Sequence, residues 1–263
     1  MSESRLLDMR ECAGDGFRSI HAEMLRVSLR LQPSWFRPLL VRSRTLKLWT
    51  GYDHWSRAWE YPWAIQAGDL QERRLRTLDV GGGGSPFAIY LAQRGHESVV
   101  VDPSLDQGIS STFDPQRTLY RNVRSLTKRV IFNTAGIHSV WGLPDDGVRA
   151  GVRYFPQVAH HLEFPDHHFD RVFCLSVMEH IQRDLWPKCI REFERVLRPG
   201  GRLVITLDME TSEANDRLYR SLVDACPLSL LGDPDYEIPL SRVDQQRRHP
   251  GQGYETIGLV WRK

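Results

Sequence analysis

Two acids and a run of glycines set the chemistry open to this sequence. Asp79 stands two residues before Gly81, the first of four consecutive glycines that end at Gly84, and Asp102 closes an apolar run further along. Glycine lets the backbone turn sharply and approach a ligand with no Cβ in the way. A carboxylate about twenty residues beyond such a loop is placed to accept hydrogen bonds from both hydroxyls of a ribose. The chemistry implied is the holding of an adenosine-type cofactor. A glycine-rich surface turn followed by an ordinary strand-end acid is the plainer alternative, and it is disfavoured because the flanking segments all fall in register.

Those segments must bring the acids and the loop together. Arg76 to Val80 is an apolar run suited to a buried parallel strand. Ser85 and Pro86 are a helix start, since serine caps free N–H groups and proline fits the first helical position. The helix is expected to pass through Phe87, Ile89, Tyr90 and Leu91 and to stop at Gly95. Ser98 to Val101 then forms a second buried strand and delivers Asp102 to the carboxyl edge of the sheet, where open α/β folds bind cofactors. The dinucleotide fingerprint needs a glycine three residues after Gly83. That position is Pro86, which disfavours NAD.

Three blocks carry a resemblance. The first is D-x-G-x-G-x-G, met here by Asp79, Gly81 and Gly83 with Ser85 at the last position. The second is L-P-F-P-D-x-x-F-D, matched by Leu162, Phe164, Pro165, Asp166, Phe169 and Asp170 and followed by a strand over Arg171 to Leu175. The third is R-V-L-K-P-G-G-x-L-x-I, to which Arg195 to Ile205 is similar. Together they resemble class I S-adenosylmethionine-dependent methyltransferases, in the broad group that includes ubiquinone and menaquinone methyltransferases.

The resemblance implies a three-layer α/β Rossmann-like fold, with a seven-stranded, mostly parallel sheet whose last strand runs antiparallel between its neighbours. It implies S-adenosyl-L-methionine as cofactor and S-adenosyl-L-homocysteine as product. Gly81, Gly82, Gly83 and Ser85 would meet the methionyl part, Asp79 would steady its amino group, and Asp102 would hold the ribose. Pro103 and Ser104 would line the adenine side. Relatives often carry an acid near Val158 for the adenine amino group; here the backbone of Val158, Ala159 and His160, or the His160 ring, takes that place. Leu175, at the tip of the fourth strand, completes the expected cofactor contacts. His180, just beyond that strand, is the candidate proton acceptor, because imidazole titrates near neutrality; a purely orienting role for it is the alternative.

The 263 residues suit one α/β domain with an extension. Residues 1–70 are expected to form a helical, aromatic-rich cap and residues 71–263 the cofactor-binding domain. Spaced apolar residues at Ile20, Met24, Val27 and Leu31 predict an amphipathic helix within Ser4 to Gln32. Leu31 to Tyr52 is basic and aromatic, which suits either a surface that holds an anionic partner or anchors packed on the core. In Gly51 to Ile65, Tyr52, Tyr61 and Trp63 are candidates to cover a ligand or to fill a hydrophobic edge. Residues 103–151 exceed what a crossover requires, and Asn133 to Asp146 within them suit a lid, a substrate-binding insertion or an elaborated surface crossover.

Toward the C-terminus, a helix over Trp186 to Arg198 precedes a strand at Arg202 to Leu207. A further helix over Glu213 to Cys226, a weak strand near Leu228 to Leu231 and a terminal strand over Tyr254 to Trp261 follow, with a basic loop between Pro239 and Gly253. His160, His161, His167 and His168 lack a completing Cys or carboxylate, so no metal is expected. Cys12, Cys174, Cys189 and Cys226 are scattered, with no C-x-x-C pair.

A net charge of +2 gives no argument for nucleic acid or a membrane surface, and a cytoplasmic protein acting on a small molecule is the expectation. Two other functions are weighed beside methyl transfer: a non-catalytic S-adenosylmethionine-binding protein of the same fold, and a nicotinamide-dependent oxidoreductase. The acceptor atom, whether oxygen, nitrogen, carbon or sulfur, stays open.

Overall fold

The computed structural model describes residues 3–43, 45–47, 57–71, 74–105, 134–135, 137, 145–210, 220–232 and 254–263. In chain order the elements are β1 (Arg5–Leu6), α1 (Asp15–Arg30), α2 (Arg37–Arg42), α3 (Arg57–Ala67), β2 (Arg76–Val80), α4 (Pro86–Gln93) and β3 (Glu97–Val101). There follow α5 (Asp145–Arg149), β4 (Arg153–Phe155), β5 (Phe169–Leu175), α6 (Trp186–Val196), β6 (Leu197–Glu210), β7 (Ser229–Leu230) and β8 (Tyr254–Arg262).

The strands form one sheet in the order β1-β8-β6-β5-β2-β3-β4, with β7 also paired to β8. From β4 to β6 all neighbours are parallel, and β8 runs antiparallel to β6 over nine residue pairs, from Arg202↔Arg262 to Glu210↔Tyr254. The mostly parallel sheet with an antiparallel last strand is therefore present. Its far edge differs from a simple terminal hairpin. Two short strands share the outer side of β8: Arg5 and Leu6 face Gly258 and Ile257, and Ser229 and Leu230 face Arg262 and Trp261.

A bond from Ser4 N–H to Leu231 C=O at 2.8 Å joins those two strands end to end. The expected N-terminal helix accordingly begins only at Asp15. Asp8 caps a short 3-10 turn over Met9–Ala13, and the extended Gly14 starts α1. Covering an open strand edge satisfies backbone groups that would otherwise face solvent unpaired, which is why the first residues are extended.

Alternation along the strands builds two cores. Leu78, Val99, Val101, Val172, Cys174, Leu203 and Ile205 face Cys189, Ile190, Phe193 and Val196 of α6. Val100, Phe173, Leu175, Val204 and Val260 face the other way, toward α1, α3 and α4. This three-layer arrangement places the helix expected from residues 20–31 against the sheet, with Met24 and Val27 buried. It also settles Trp63. The ring is fully buried, stacked on Trp59 at 5.3 Å, and lies where a side chain on Gly258 would go, so it is core and not ligand cover.

The second sequence block is held from behind. The Arg195 guanidinium donates to the Leu162 and Phe164 carbonyls, each at 2.7 Å, and to Asp166 at 2.8 Å, while Asp170 accepts from Arg76 N–H at 2.7 Å. Residues 106–133, 136 and 138–144 of the long crossover, which include most of the Asn133–Asp146 stretch, together with Tyr52 and the Pro239–Gly253 loop, lie outside the described residues.

Candidate cofactor and methyl-transfer site

The site is built where β2, β3, β5 and β6 end. Asp79 pairs with Val100 on one side and Phe173 on the other, so it occupies the last turns of the central strand and is buried. Gly81 N–H donates to Val101 C=O at 2.7 Å, which fixes the glycine loop beside the residue that precedes Asp102. The tip of β2 and the end of β3 are thus brought together through the backbone.

Two of the glycines are required by packing. Gly81 has φ +73°, and a Cβ there would lie 2.5 Å from a Val177 methyl. A Cβ on Gly82 would lie 2.3 Å from Asp79 Oδ2, so the loop folds directly over that carboxyl. Gly83 also turns through positive φ, at +47°. Ser85 caps α4 as expected, accepting from Phe87 N–H at 3.1 Å. Its hydroxyl also meets Tyr61 Oη at 2.9 Å, which ties the loop to α3.

Asp79 Oδ2 is buried with no hydrogen-bond partner among the described residues. Burial pushes its carboxyl up to about 7, the Arg57 guanidinium opposes that rise, and Asp102 adds to it. A buried polar atom without a partner is costly unless something binds it. Asp102 is half-buried and uses Oδ1 to accept from Ser104 N–H at 2.8 Å and Ser104 Oγ at 2.6 Å, closing a turn over Pro103–Leu105.

A carboxyl whose buried Oδ2 has no partner among the described residues, beneath a glycine loop and with a second acid at the neighbouring strand tip, fits a ligand carrying an ammonium group and a ribose. Val158 and His161 form an isolated bridge that keeps Val158, Ala159 and His160 in a tight turn, with Ala159 buried and His160 half-buried. Leu175 ends β5 with its side chain in the core. His180 ends a 3-10 turn over Met178–His180 and is exposed, whereas Glu179 beside it points inward.

The larger part of the polar site was not foreseen. Glu60, on α3, is fully buried and accepts from Arg57 Nη1 at 2.5 Å, Ser176 Oγ at 2.5 Å and Thr206 Oγ1 at 2.7 Å. One carboxylate thus clasps the ends of β5 and β6. Ser176 is held in a left-handed conformation, φ +51°, which a non-glycine residue keeps only when its surroundings demand it.

Further out, Glu179 Oε1 accepts from Asp208 N–H at 3.3 Å, and Asp208 Oδ1 accepts from Thr256 Oγ1 at 2.6 Å. Burial raises Glu179 to about 8, with the Asp208 and Glu60 charges adding to it, and burial raises Asp208 to about 6, with Glu60 adding. The available signal was Arg57 and Glu60 three residues apart in an otherwise apolar helix, since charges inside a buried helix need partners.

Residues 54–228 match the family model described as "Methyltransferase domain". Two curated relatives are similar over shorter stretches. A ubiquinone/menaquinone biosynthesis C-methyltransferase of Pseudomonas aeruginosa is 36% identical over 89 residues, covering 34% of this chain and 33% of the relative. That of Azotobacter vinelandii is 35% identical over 83 residues, covering 32% and 31%. The match thus spans about a third of the length of these relatives.

Among solved structures, a 1,6-didemethyltoxoflavin-N1-methyltransferase of Burkholderia thailandensis, with its substrate and S-adenosylhomocysteine bound, is 18% identical, with 86% of this chain and 88% of that chain covered and a TM-score of 0.49. The family match, over well more than half the chain, falls on a mostly parallel sheet with an antiparallel last strand, whose central strand carries an acid next to its end under a glycine loop. By that match the chain belongs to the methyltransferase-domain family, as a class I S-adenosylmethionine-dependent member.

Proposed function

We propose that this chain transfers the methyl group of S-adenosylmethionine to a small-molecule acceptor. The observation that carries the reading is Asp79: a buried carboxyl with an unpartnered oxygen, roofed by Gly82 and one strand from Asp102. Asp79 would take the ammonium of the methionyl part, Asp102 the ribose, and the backbone around Val158, Ala159 and His160 the adenine, with Pro103 and Ser104 beside it. The cofactor supplies an activated methyl on a sulfonium, so the chain's task is alignment and exclusion of water.

At the acceptor side, the turn after β5 presents Glu179 inward and His180 outward, and either could receive the proton that the acceptor loses. A small-molecule acceptor and a cytoplasmic location are part of the same reading, on the strength of a balanced composition; among the described residues no helix is long and apolar enough to cross a membrane.

The test is calorimetry with S-adenosylhomocysteine. Binding in the micromolar range is expected, weakened about tenfold to a hundredfold in Asp102→Ala, the worth of charge-assisted hydrogen bonds at about 1.5–3 kcal/mol. Absence of any heat of binding in the wild-type protein would overturn the reading. Incubation of a small-molecule extract with methyl-labelled S-adenosylmethionine then identifies the acceptor by the label it acquires.

A further inference from the structure

A methionyl group presents two charges, an ammonium and a carboxylate, and Asp79 answers only the first. We propose that Arg57 binds the carboxylate of the cofactor's methionyl end, opposite Asp79, so that acid and guanidinium together form a clamp for a zwitterion. The proposal rests on the cofactor reading above.

A chain of contacts brings Arg57 to the loop step by step. Gly81 packs on Val177, whose methyl would lie 2.5 Å from a Cβ placed on the glycine. The residue before Val177 is Ser176, whose Oγ accepts from Arg57 Nη1 at 3.2 Å. The guanidinium is therefore two contacts from the backbone expected to face the methionyl part. It is also the cation whose charge bears on Asp79, against Asp102 of the opposite sign.

The arginine is pre-set for this role. Its Nη1 is spent on Glu60 and Ser176, and the Tyr61 ring lies 5.5 Å beneath the guanidinium carbon. Among the described residues no hydrogen bond engages Nε or Nη2, and the side chain keeps 28% of its surface exposed. An arginine anchored on one edge of its planar fork offers the other edge to a carboxylate at little cost in ordering. Glu60 cannot serve as the whole counter-charge for the ligand-facing edge, because Ser176 and Thr206 already share its Oε1 and Arg57 holds Oε2 through Nη1. Glu60 is a positioning residue in this scheme: it acts on the cofactor only by aiming Arg57.

The experiment compares two ligands that differ at the proposed contact. S-adenosylhomocysteine carries the amino-acid end, and 5′-methylthioadenosine keeps the nucleoside without it. Titrating both into wild type and Arg57→Met should show S-adenosylhomocysteine affinity falling about tenfold or more in the variant, with 5′-methylthioadenosine unchanged. Arg57→Lys should recover part of the loss, because a point charge replaces a fork.

An S-adenosylhomocysteine analogue whose carboxylate is converted to a primary amide closes the cycle: it should bind wild type as weakly as the parent ligand binds Arg57→Met, and the two losses should not add. Equal S-adenosylhomocysteine affinity in wild type and Arg57→Met overturns the proposal. So does a parallel loss of both ligands, which would mark Arg57 as structural. If Arg57→Met fails to fold, wild type and Arg57→Lys decide: an amide analogue as tight as the parent, or a lysine variant that leaves affinity untouched for both, overturns it. Wild-type protein that binds neither nucleoside overturns the cofactor reading itself, and the clamp with it.

Discussion

The carboxyl edge of the sheet has two halves that are assembled in opposite ways. The half at β2 and β3 comes from one stretch: Asp79, the glycine loop, the Ser85 cap and Asp102 lie within twenty-four residues, and backbone geometry alone brings them together. The half at β5 and β6 is gathered from afar. Glu60 reaches Ser176 across 116 positions and Thr206 across 146. The first half is a motif, whereas the second is a knot of side chains tied by an N-terminal helix. Local halves depend on turn chemistry and tolerate change elsewhere; a knot of buried charges depends on every partner, since removing one leaves another charged and unpaired.

The largest expected effect tests the knot. Glu60→Ala should destabilise the protein by about 3–5 kcal/mol, because it leaves Arg57 without its carboxylate in a mostly buried setting. Urea unfolding measures this, and a loss of only about 0.5 kcal/mol, the scale of an ordinary surface change, would show that the far half stands without α3.

The next tests the motif. Gly82→Ala places a methyl against Asp79 Oδ2, and should cost about 1–3 kcal/mol as overpacking and displace the carboxyl. S-adenosylhomocysteine affinity should fall in step with stability, so a variant of unchanged affinity would disconnect the loop from the ligand.

A pH series separates the halves further. Asp79 titrates at about 7 in the folded chain and near 3.8 when unfolded, so its neutral form favours the fold at low pH. That contribution is complete below the unfolded value and is lost as pH rises toward about 7. Asp79→Asn should therefore gain thermal stability relative to wild type as pH climbs, levelling off above neutrality. Binding runs the other way. An ammonium needs the ionised acid, so wild-type affinity for S-adenosylhomocysteine should fall as pH drops through about 7, and Asp79→Asn should be weaker and flatter. A wild-type affinity that does not change over this range would remove Asp79 from the contact. The smallest effect is Tyr61→Phe, which loses the bond to Ser85 between α3 and the glycine loop and should cost about 1 kcal/mol in unfolding experiments.

The contrast between His180 and Glu179 shows where reading along the chain stops. Both follow β5 in the same short run, and the imidazole is the more obvious proton carrier. Glu179 turns inward in the 3-10 turn, where it accepts from Asp208 N–H on β6, and His180 stays exposed, a difference that composition and spacing do not mark. The same holds for Tyr61 and Trp63. Two residues apart on one helix, they project differently: Tyr61 reaches Ser85, and Trp63 sinks between Trp59 and Gly258.

At the N-terminus, the apolar spacing of Met24 and Val27 correctly marks a helix. Arg5 and Leu6 become a strand only because the outer side of β8, some 250 residues away, offers them partners. Strand pairing of that kind is a property of the edge being covered, and not of the two residues that cover it.

The sequence by itself determined the central βαβ unit, the family and the strand ends at which the proposed cofactor would sit. Each of these is written in glycine, proline and apolar positions whose consequences reach only a few residues. Tertiary structure alone decided that α3 sends an arginine and a glutamate to the β5 and β6 half of the edge, where the arginine's charge acts on four carboxyls, Glu60, Asp79, Glu179 and Asp208. The reason is physical: a buried charge is tolerated only where all of its partners arrive together, and their arrival depends on how distant segments pack, which no local pattern encodes.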